Sequence, residues 1–145
     1  MTARRDRRRD RATLQRVLAA EHAVVFGYGV AGARLTGSDQ LRAERLRDDH
    51  RASRDSLGGL VTGLGGVPEP PAATYALPSP VVTPQDARVL ATLLEERLAA
   101  VWADAVVDLD GDLRSVAVDG LRSAAVRAAR WRAGSVPFPG LAERG

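Results

Sequence analysis

The chain of 145 residues has no cysteine, no lysine, two histidines and six aromatic residues. The absence of cysteine excludes disulfides, thiolate metal sites and a thiol nucleophile. The aromatic residues are too few and too scattered to form a stacking platform for nucleic acid. Because all 21 residues that are lysine or arginine are arginine, the composition is typical of a GC-rich genome, and the bias by itself indicates no function.

Long apolar runs are also missing. The longest spans residues 23–33, contains three glycines and is too short to cross a bilayer. The arginines before it are separated from it by Glu21 and His22, so the segment does not fit a secretory signal peptide. These features predict a cytoplasmic protein that does not enter a membrane.

The positive charge is concentrated at the amino terminus. The first eleven residues hold six arginines and two aspartates, whereas the remainder holds fifteen arginines and sixteen acidic residues. Because so short and polar a segment has little to pack, residues 1–12 are predicted to be a disordered arginine-rich tail. The rest of the chain offers no basic stripe, which predicts that the protein does not bind nucleic acid.

The remainder, residues 13–145, is predicted to form one all-α domain of four helices. Apolar residues recur every three or four positions from Thr13 to Leu35, which favours a helix of about six turns. Ser38 or Asp39 is predicted to cap the second helix, and Thr83 followed by Pro84 to begin the third. The inward positions of the second, third and fourth helices include Ala43, His50, Leu57, Leu90, Leu94, Leu98, Leu113, Ala117, Gly120, Ala124 and Trp131. Phe138 and Leu141, after the fourth helix, are expected to fold back onto the domain.

Residues 66–84 contain six prolines and separate the second helix from the third. Proline excludes a regular helix there and favours an extended, stiff segment. Such a segment can cross the length of a six-turn bundle, whereas the other two connections are short. One long crossover between helices 2 and 3 predicts a ferritin-like four-helix bundle with up-down-down-up order.

The segment GYGVAG, residues 27–32, matches the G-x-G-x-x-G pattern of dinucleotide-binding turns. That function requires a preceding strand and a helix that opens near the third glycine. The residues before Gly27 instead have helical spacing, and only four residues separate Gly32 from the next turn. We therefore interpret these glycines as a smooth helix face that a neighbouring segment approaches closely.

Three segments carry a resemblance to a known family: LQRVLAAEHAVVFGYGVAGARL, TYALPSPV and AARWRAGSVPFPGL. Over residues 14–144 the chain resembles an uncharacterised family of ferritin-like domains from GC-rich bacteria, known as a domain of unknown function. The resemblance implies a ferritin-like bundle and implies no activity.

The wider ferritin-like group often holds a di-iron centre made by a Glu on each of two helices and Glu-x-x-His on each of the other two. In this sequence Glu21, His50, Glu95 and Asp119 lie on or beside the inward stripes of the four helices. Arg47 occupies the Glu position before His50, and Arg122 the His position after Asp119. With two histidines in all, one of them His22 beside Glu21, the usual di-iron ligand set cannot be completed.

Two functions remain open at the level of sequence. In the first, which we favour, the protein is a metal-free structural or interaction module, no cofactor is bound, and Glu21 pairs with His50, Arg47 or Arg54 in a buried network. In the second, Glu21, His50, Glu95 and Asp119 hold iron or manganese in a redox or metal-handling protein. Alanine-rich and glycine-rich helix faces also predict a homodimer, and no residue pattern identifies an enzyme.

Overall fold

The computed structural model describes residues 2–135, and its regular secondary structure there is entirely helical. The helices are α1 (Thr2–Gly32), α2 (Gly37–Gly63), α3 (Pro84–Asp108) and α4 (Gly111–Ser135). Residues 64–83 connect α2 to α3 without helix or strand. The all-α, four-helix prediction is therefore confirmed. Phe138 and Leu141 lie outside the described residues.

The predicted disordered tail at residues 1–12 is not found, because α1 begins at Thr2 and includes residues 2–12. Arginine has high helix propensity, and extending an existing helix avoids the cost of nucleation. Arg9 also contacts Asp110 at 3.2 Å, and Arg11 donates to the carbonyl oxygen of Gly65 at 3.3 Å. Propagation and these contacts make residues 2–12 helical, in place of the predicted disordered tail.

The predicted start of α3 is confirmed, whereas the predicted cap of α2 is not. At α3, Thr83 accepts from the backbone N–H of Asp86 at 3.0 Å and Asp86 accepts from that of Thr83, which forms a capping box ahead of Pro84. At α2, the predicted cap at Ser38 or Asp39 is wrong. The helix begins at Gly37, whose φ of +60° turns the chain directly into it, and Thr36 at the N-cap makes no side-chain cap bond.

Two glycines allow close approach between helices, as predicted for the GYGVAG segment. A Cβ on Gly27 would lie 2.5 Å from Cδ1 of Leu94, so α1 and α3 meet at this position. A Cβ on Gly120 would lie 2.3 Å from Cε2 of Trp102, so α4 packs directly on that indole. All three glycines of the motif lie within α1, which confirms the helical interpretation.

The connection between α2 and α3 lies against α1. Gln15 donates to the carbonyl oxygen of Val67 at 2.7 Å and accepts from the N–H of Glu69 at 3.0 Å. His22 contacts the carbonyl oxygen of Glu69 at 2.8 Å. Further along α1, the rings of Phe26 and Tyr75 lie 5.4 Å apart. The segment thus follows α1 from its middle towards its carboxyl end.

The core lies between the helices and contains large apolar side chains from all four. Between residues 2 and 135, no helix carries an apolar stretch of the length and hydropathy needed to cross a bilayer. The fully buried side chains include Leu14, Leu18, Tyr28, Leu98, Leu109 and Trp131, together with those of Glu21, His50 and Glu95.

A buried carboxylate and histidine network

Three of the four predicted site residues meet at the centre of the protein. Glu21 on α1 and His50 on α2 are each 1% exposed, and Glu95 on α3 is fully buried. Each lies on the inward stripe of its helix, so packing of the three stripes brings them together. Buried ionisable groups are costly unless they are paired. Their arrangement must therefore satisfy their charges.

His50 connects the two carboxylates. Its Nδ1 lies 2.7 Å from Oε2 of Glu21, and its Nε2 lies 2.7 Å from Oε1 of Glu95. Burial opposes a charge on the ring, but the hydrogen bonds and charges of Glu21 and Glu95 outweigh it and raise the pKa of His50 to about 9. At neutral pH His50 is therefore an imidazolium whose two N–H groups both donate to carboxylates.

Three members of the network are bonded to the same oxygen of Glu95. Its Oε1 accepts from His50, from the Tyr28 hydroxyl at 2.7 Å and from Nε of Arg127 at 3.0 Å. Burial acts against the ionised form, but His50 and Arg127 hold the pKa of Glu95 below its ordinary value. Its other oxygen, Oε2, is buried and has no hydrogen-bond partner among the described residues.

An aromatic layer closes the network on one side. Nε1 of Trp131 donates to the Tyr28 hydroxyl at 2.9 Å, and the Tyr28 ring stacks on His50 with centroids 5.5 Å apart. Burial and the charge of Glu95 raise the pKa of Tyr28 above its ordinary value, so the hydroxyl stays protonated and donates. The guanidinium of Arg42 lies 4.1 Å from the centroid of the Trp131 ring.

Asp119 and two of the three proposed partners of Glu21 lie outside the network. Asp119 lies on the exposed side of α4 and makes no hydrogen bond to Glu21, His50 or Glu95. Of the three proposed partners of Glu21, His50 is the one that pairs with it, whereas Arg54 contacts Asp55. Arg47 lies beside Gly29 instead.

Sequence reasoning missed three members of the network: Tyr28, Arg127 and Trp131. A signal was present, because Arg127 stands four residues before Trp131 and therefore shares its helix face. An arginine at the edge of a buried stripe favours an anionic partner, because a buried charge without one is costly. Tyr28 similarly lies two helical turns after Glu21 on the same face.

Glu21, His50 and Glu95 are residue types that bind iron, manganese and zinc. A histidine ligand must be neutral and offer a nitrogen lone pair, whereas both His50 nitrogens hold hydrogen bonds to carboxylates. A metal ion here would have to displace a proton and one carboxylate. Across residues 2–135, no group of three or more His, Cys, Asp and Glu side chains is arranged to hold a metal ion.

Over residues 2–135, fold and site together define a bundle of four helices with a buried, proton-bearing network to which each of these helices contributes. The chain belongs to the family described as Domain of unknown function (DUF4439), whose model matches residues 13–143. It is similar to a conserved hypothetical protein from Mycobacterium tuberculosis, known from a crystal structure. The two share 32% sequence identity and a TM-score of 0.82 over 86% of this chain and 95% of the other. No curated protein is similar enough to this chain to count as a match.

Proposed function

We propose that this protein is a ferritin-like bundle that works without a metal, as a structural or interaction module. The helix contacts support the ferritin-like order. Arg88 near the start of α3 contacts Asp39 near the start of α2 at 3.4 Å, and Arg16 on α1 contacts Asp108 at the end of α3 at 3.0 Å. In this order α2 and α3 run in one direction, α1 and α4 run in the other, and residues 64–83 make the crossover.

The charges of the network support the metal-free part of the proposal. Glu21 and Glu95 supply the single carboxylates of the ferritin-like pattern, but α2 has Arg47 where the Glu of Glu-x-x-His stands, and α4 has Arg122 where the His after Asp119 would stand. Arg127 of α4 contacts Glu95 instead. Two cations, His50 and Arg127, therefore face two carboxylates. The proton of His50 and the guanidinium supply the positive charge that metal ions provide elsewhere in the group.

The single observation that carries the proposal is the double hydrogen bond of His50, with both ring nitrogens 2.7 Å from a carboxylate oxygen. Because His50 on α2 is bonded to Glu21 on α1 and to Glu95 on α3, it fixes the relative positions of these three helices. Buried polar groups fix helix register in several proteins, and we propose that this network does so here. We therefore assign the network a structural role.

Metal retention tests the proposal. Purified protein without a tag is loaded with Fe(II), Mn(II) or Zn(II), desalted and analysed by elemental mass spectrometry. We expect background retention, equal in the native chain and in Glu21→Ala. The control is Glu44→Ala, an exposed carboxylate on α2. Near-stoichiometric retention that is lost in Glu21→Ala and kept in Glu44→Ala would overturn the proposal.

A second function, iron or manganese binding for redox chemistry or metal handling, is favoured by one observation. Oε2 of Glu95 is buried beside His50 and has no hydrogen-bond partner among the described residues, as a vacant ligand atom would be. In this alternative Glu21, His50 and Glu95 would be the ligands and Asp119 a peripheral one. Glu95→Gln would then abolish the retained metal, which separates the two functions in the same assay.

We also propose that the protein is a homodimer. Several apolar side chains of the described helices are exposed, including Leu41 on α2 and Val89 and Val107 on α3. A second copy packed on such a face would remove this apolar surface from water. Light scattering after size-exclusion chromatography checks the mass. A monomer mass at high protein concentration would contradict the dimer.

A further inference from the structure

The neighbouring helices of the bundle are not packed equally closely. Over residues 2–135, α1 packs closely with α2 and α3, and α3 with α4, but no Cα of α2 lies within 8 Å of one in α4. A cavity of about 350 Å³ opens in the gap between α2 and α4. Pockets that bind small ligands begin at about 300 Å³, so this cavity has room for a small molecule.

Glu21 lines this cavity from the centre of the protein. Its Oε2 is bound by His50, but its Oε1 makes no hydrogen bond to any of the described residues, although the residue is 1% exposed. This oxygen is not one of the fully buried polar atoms that lack a partner, so it is open to the cavity, where a ligand that brings a charged donor can bind it.

The other walls of the cavity combine hydroxyl groups, an aromatic ring and a second carboxylate. The indole of Trp102 is held in place by Gly120, which packs directly on it. Such a ring stabilises an organic cation near its face, and hydroxyl groups accept from an ammonium ion. The residues are Ser53, Ser56, Trp102, Asp119 and Ser123, and Arg127 also lines the cavity.

The charges around the cavity determine which sign of charge a bound ligand carries. Three carboxylates, those of Glu21, Glu95 and Asp119, face two cations, His50 and Arg127, when both cations carry their full charge. The surroundings therefore hold one net negative charge, and a neutral His50 would make them more negative. A monovalent cation balances this charge, whereas an anion is repelled.

We propose that the cavity between α2 and α4 binds a small primary alkylammonium ion. The ammonium group donates to Glu21 and to the serine hydroxyls, Asp119 attracts it at the exposed rim, and its carbon chain lies against Trp102. The site uses the oxygen of Glu21 that His50 does not bind, and it rests on the proposed metal-free network, because a divalent ion bound to Glu21 would cancel the net negative charge.

Isothermal titration calorimetry tests the proposal with n-butylammonium and phenethylammonium as probes and with 1-butanol and butyrate as matched neutral and anionic ligands. The buffer contains a chelator, so retained metal does not contribute. We expect saturable binding of the two ammonium ions and none of 1-butanol or butyrate. Absence of saturation at millimolar concentration, or equal binding of 1-butanol, would overturn the proposal.

Variants locate the binding. Loss of a charge-assisted hydrogen bond in Glu21→Gln weakens the affinity about tenfold, and loss of the rim charge in Asp119→Asn weakens it about threefold. Glu44→Gln on the exposed side of α2 leaves the affinity unchanged. If Glu21→Gln does not fold, Ser56→Phe, at an exposed position on α2, fills the cavity and abolishes binding. Native affinity in a folded Ser56→Phe or Glu21→Gln variant would contradict the assignment.

Discussion

Nε2 of His50 on α2 lies 2.7 Å from Oε1 of Glu95 on α3. The same oxygen accepts from Tyr28 on α1 and from Arg127 on α4, so one carboxylate oxygen links all four helices. The imidazolium also reaches Glu21, which leaves two carboxylates balanced by two cations inside the core. The stability of the bundle should therefore depend on each member of this network.

Removing Glu21 leaves His50 with one carboxylate instead of two. We expect Glu21→Ala to lower the free energy of unfolding by about 2 to 4 kcal/mol, because a buried charge loses its partner. Urea unfolding followed by circular dichroism measures the change. Glu44→Ala, an exposed substitution, should cost less than about 0.5 kcal/mol. A similarly small cost for Glu21→Ala would mean that the Glu21–His50 hydrogen bond contributes nothing.

The two tyrosines provide a matched pair of hydroxyl deletions. Tyr28→Phe removes a buried donor to the Glu95 carboxylate and should cost about 1 to 3 kcal/mol. Tyr75→Phe removes an exposed acceptor of the Ala72 N–H and should cost less than about 1 kcal/mol. Thermal or urea unfolding of both variants gives the comparison. Equal costs would show that the buried hydroxyl has no special role.

The pH dependence follows from His50 and Glu95. The pKa of His50 rises from 6.5 to about 9 on folding. The contribution of His50 to the free energy of unfolding is therefore complete below pH 6.5 and is lost as the pH rises through 9. The loss is of the order of 3 kcal/mol. The lowered pKa of Glu95 gives a contribution that is present above pH 4.5 and is lost as the pH falls further.

Urea unfolding between pH 6 and pH 9.5 should therefore show falling stability in the native chain, and His50→Gln should abolish this slope. His22→Gln is the matched control, since that ring contacts the carbonyl oxygen of Glu69 outside the network. A proton NMR titration of the His50 ring reports its pKa directly. An unchanged slope in His50→Gln would assign the pH dependence to other groups.

Two helical glycines should respond in opposite directions to alanine. Gly120→Ala places a methyl group against the rigid indole of Trp102 and should cost about 1 to 3 kcal/mol, with a shift in tryptophan fluorescence. Gly59 on α2 has no neighbour within 4 Å, so Gly59→Ala should add up to about 1 kcal/mol through helix propensity. Stabilisation by Gly120→Ala would show that α4 can move away from Trp102.

The sequence by itself determined the helices and most of the residues they bury. Apolar spacing located all four helices, the Thr83–Pro84 pair located the start of α3, and the rarity of inward charges singled out Glu21, His50 and Glu95. These are local properties, because helical periodicity and capping depend on residues a few positions apart. The same local reasoning failed for residues 2–12, where contacts with Asp110 and Gly65 support a helix that composition did not predict.

Only the tertiary structure decided which partners meet. Glu21 had three possible partners in sequence, and the rotation of α2 about its axis selected His50 over Arg47 and Arg54. The packing of α4 on α3 likewise brought Arg127 to Glu95, across 32 positions of sequence. The gap between α2 and α4 likewise arises from how four helices share one core, since each helix specifies its own apolar face but not its distance from the others.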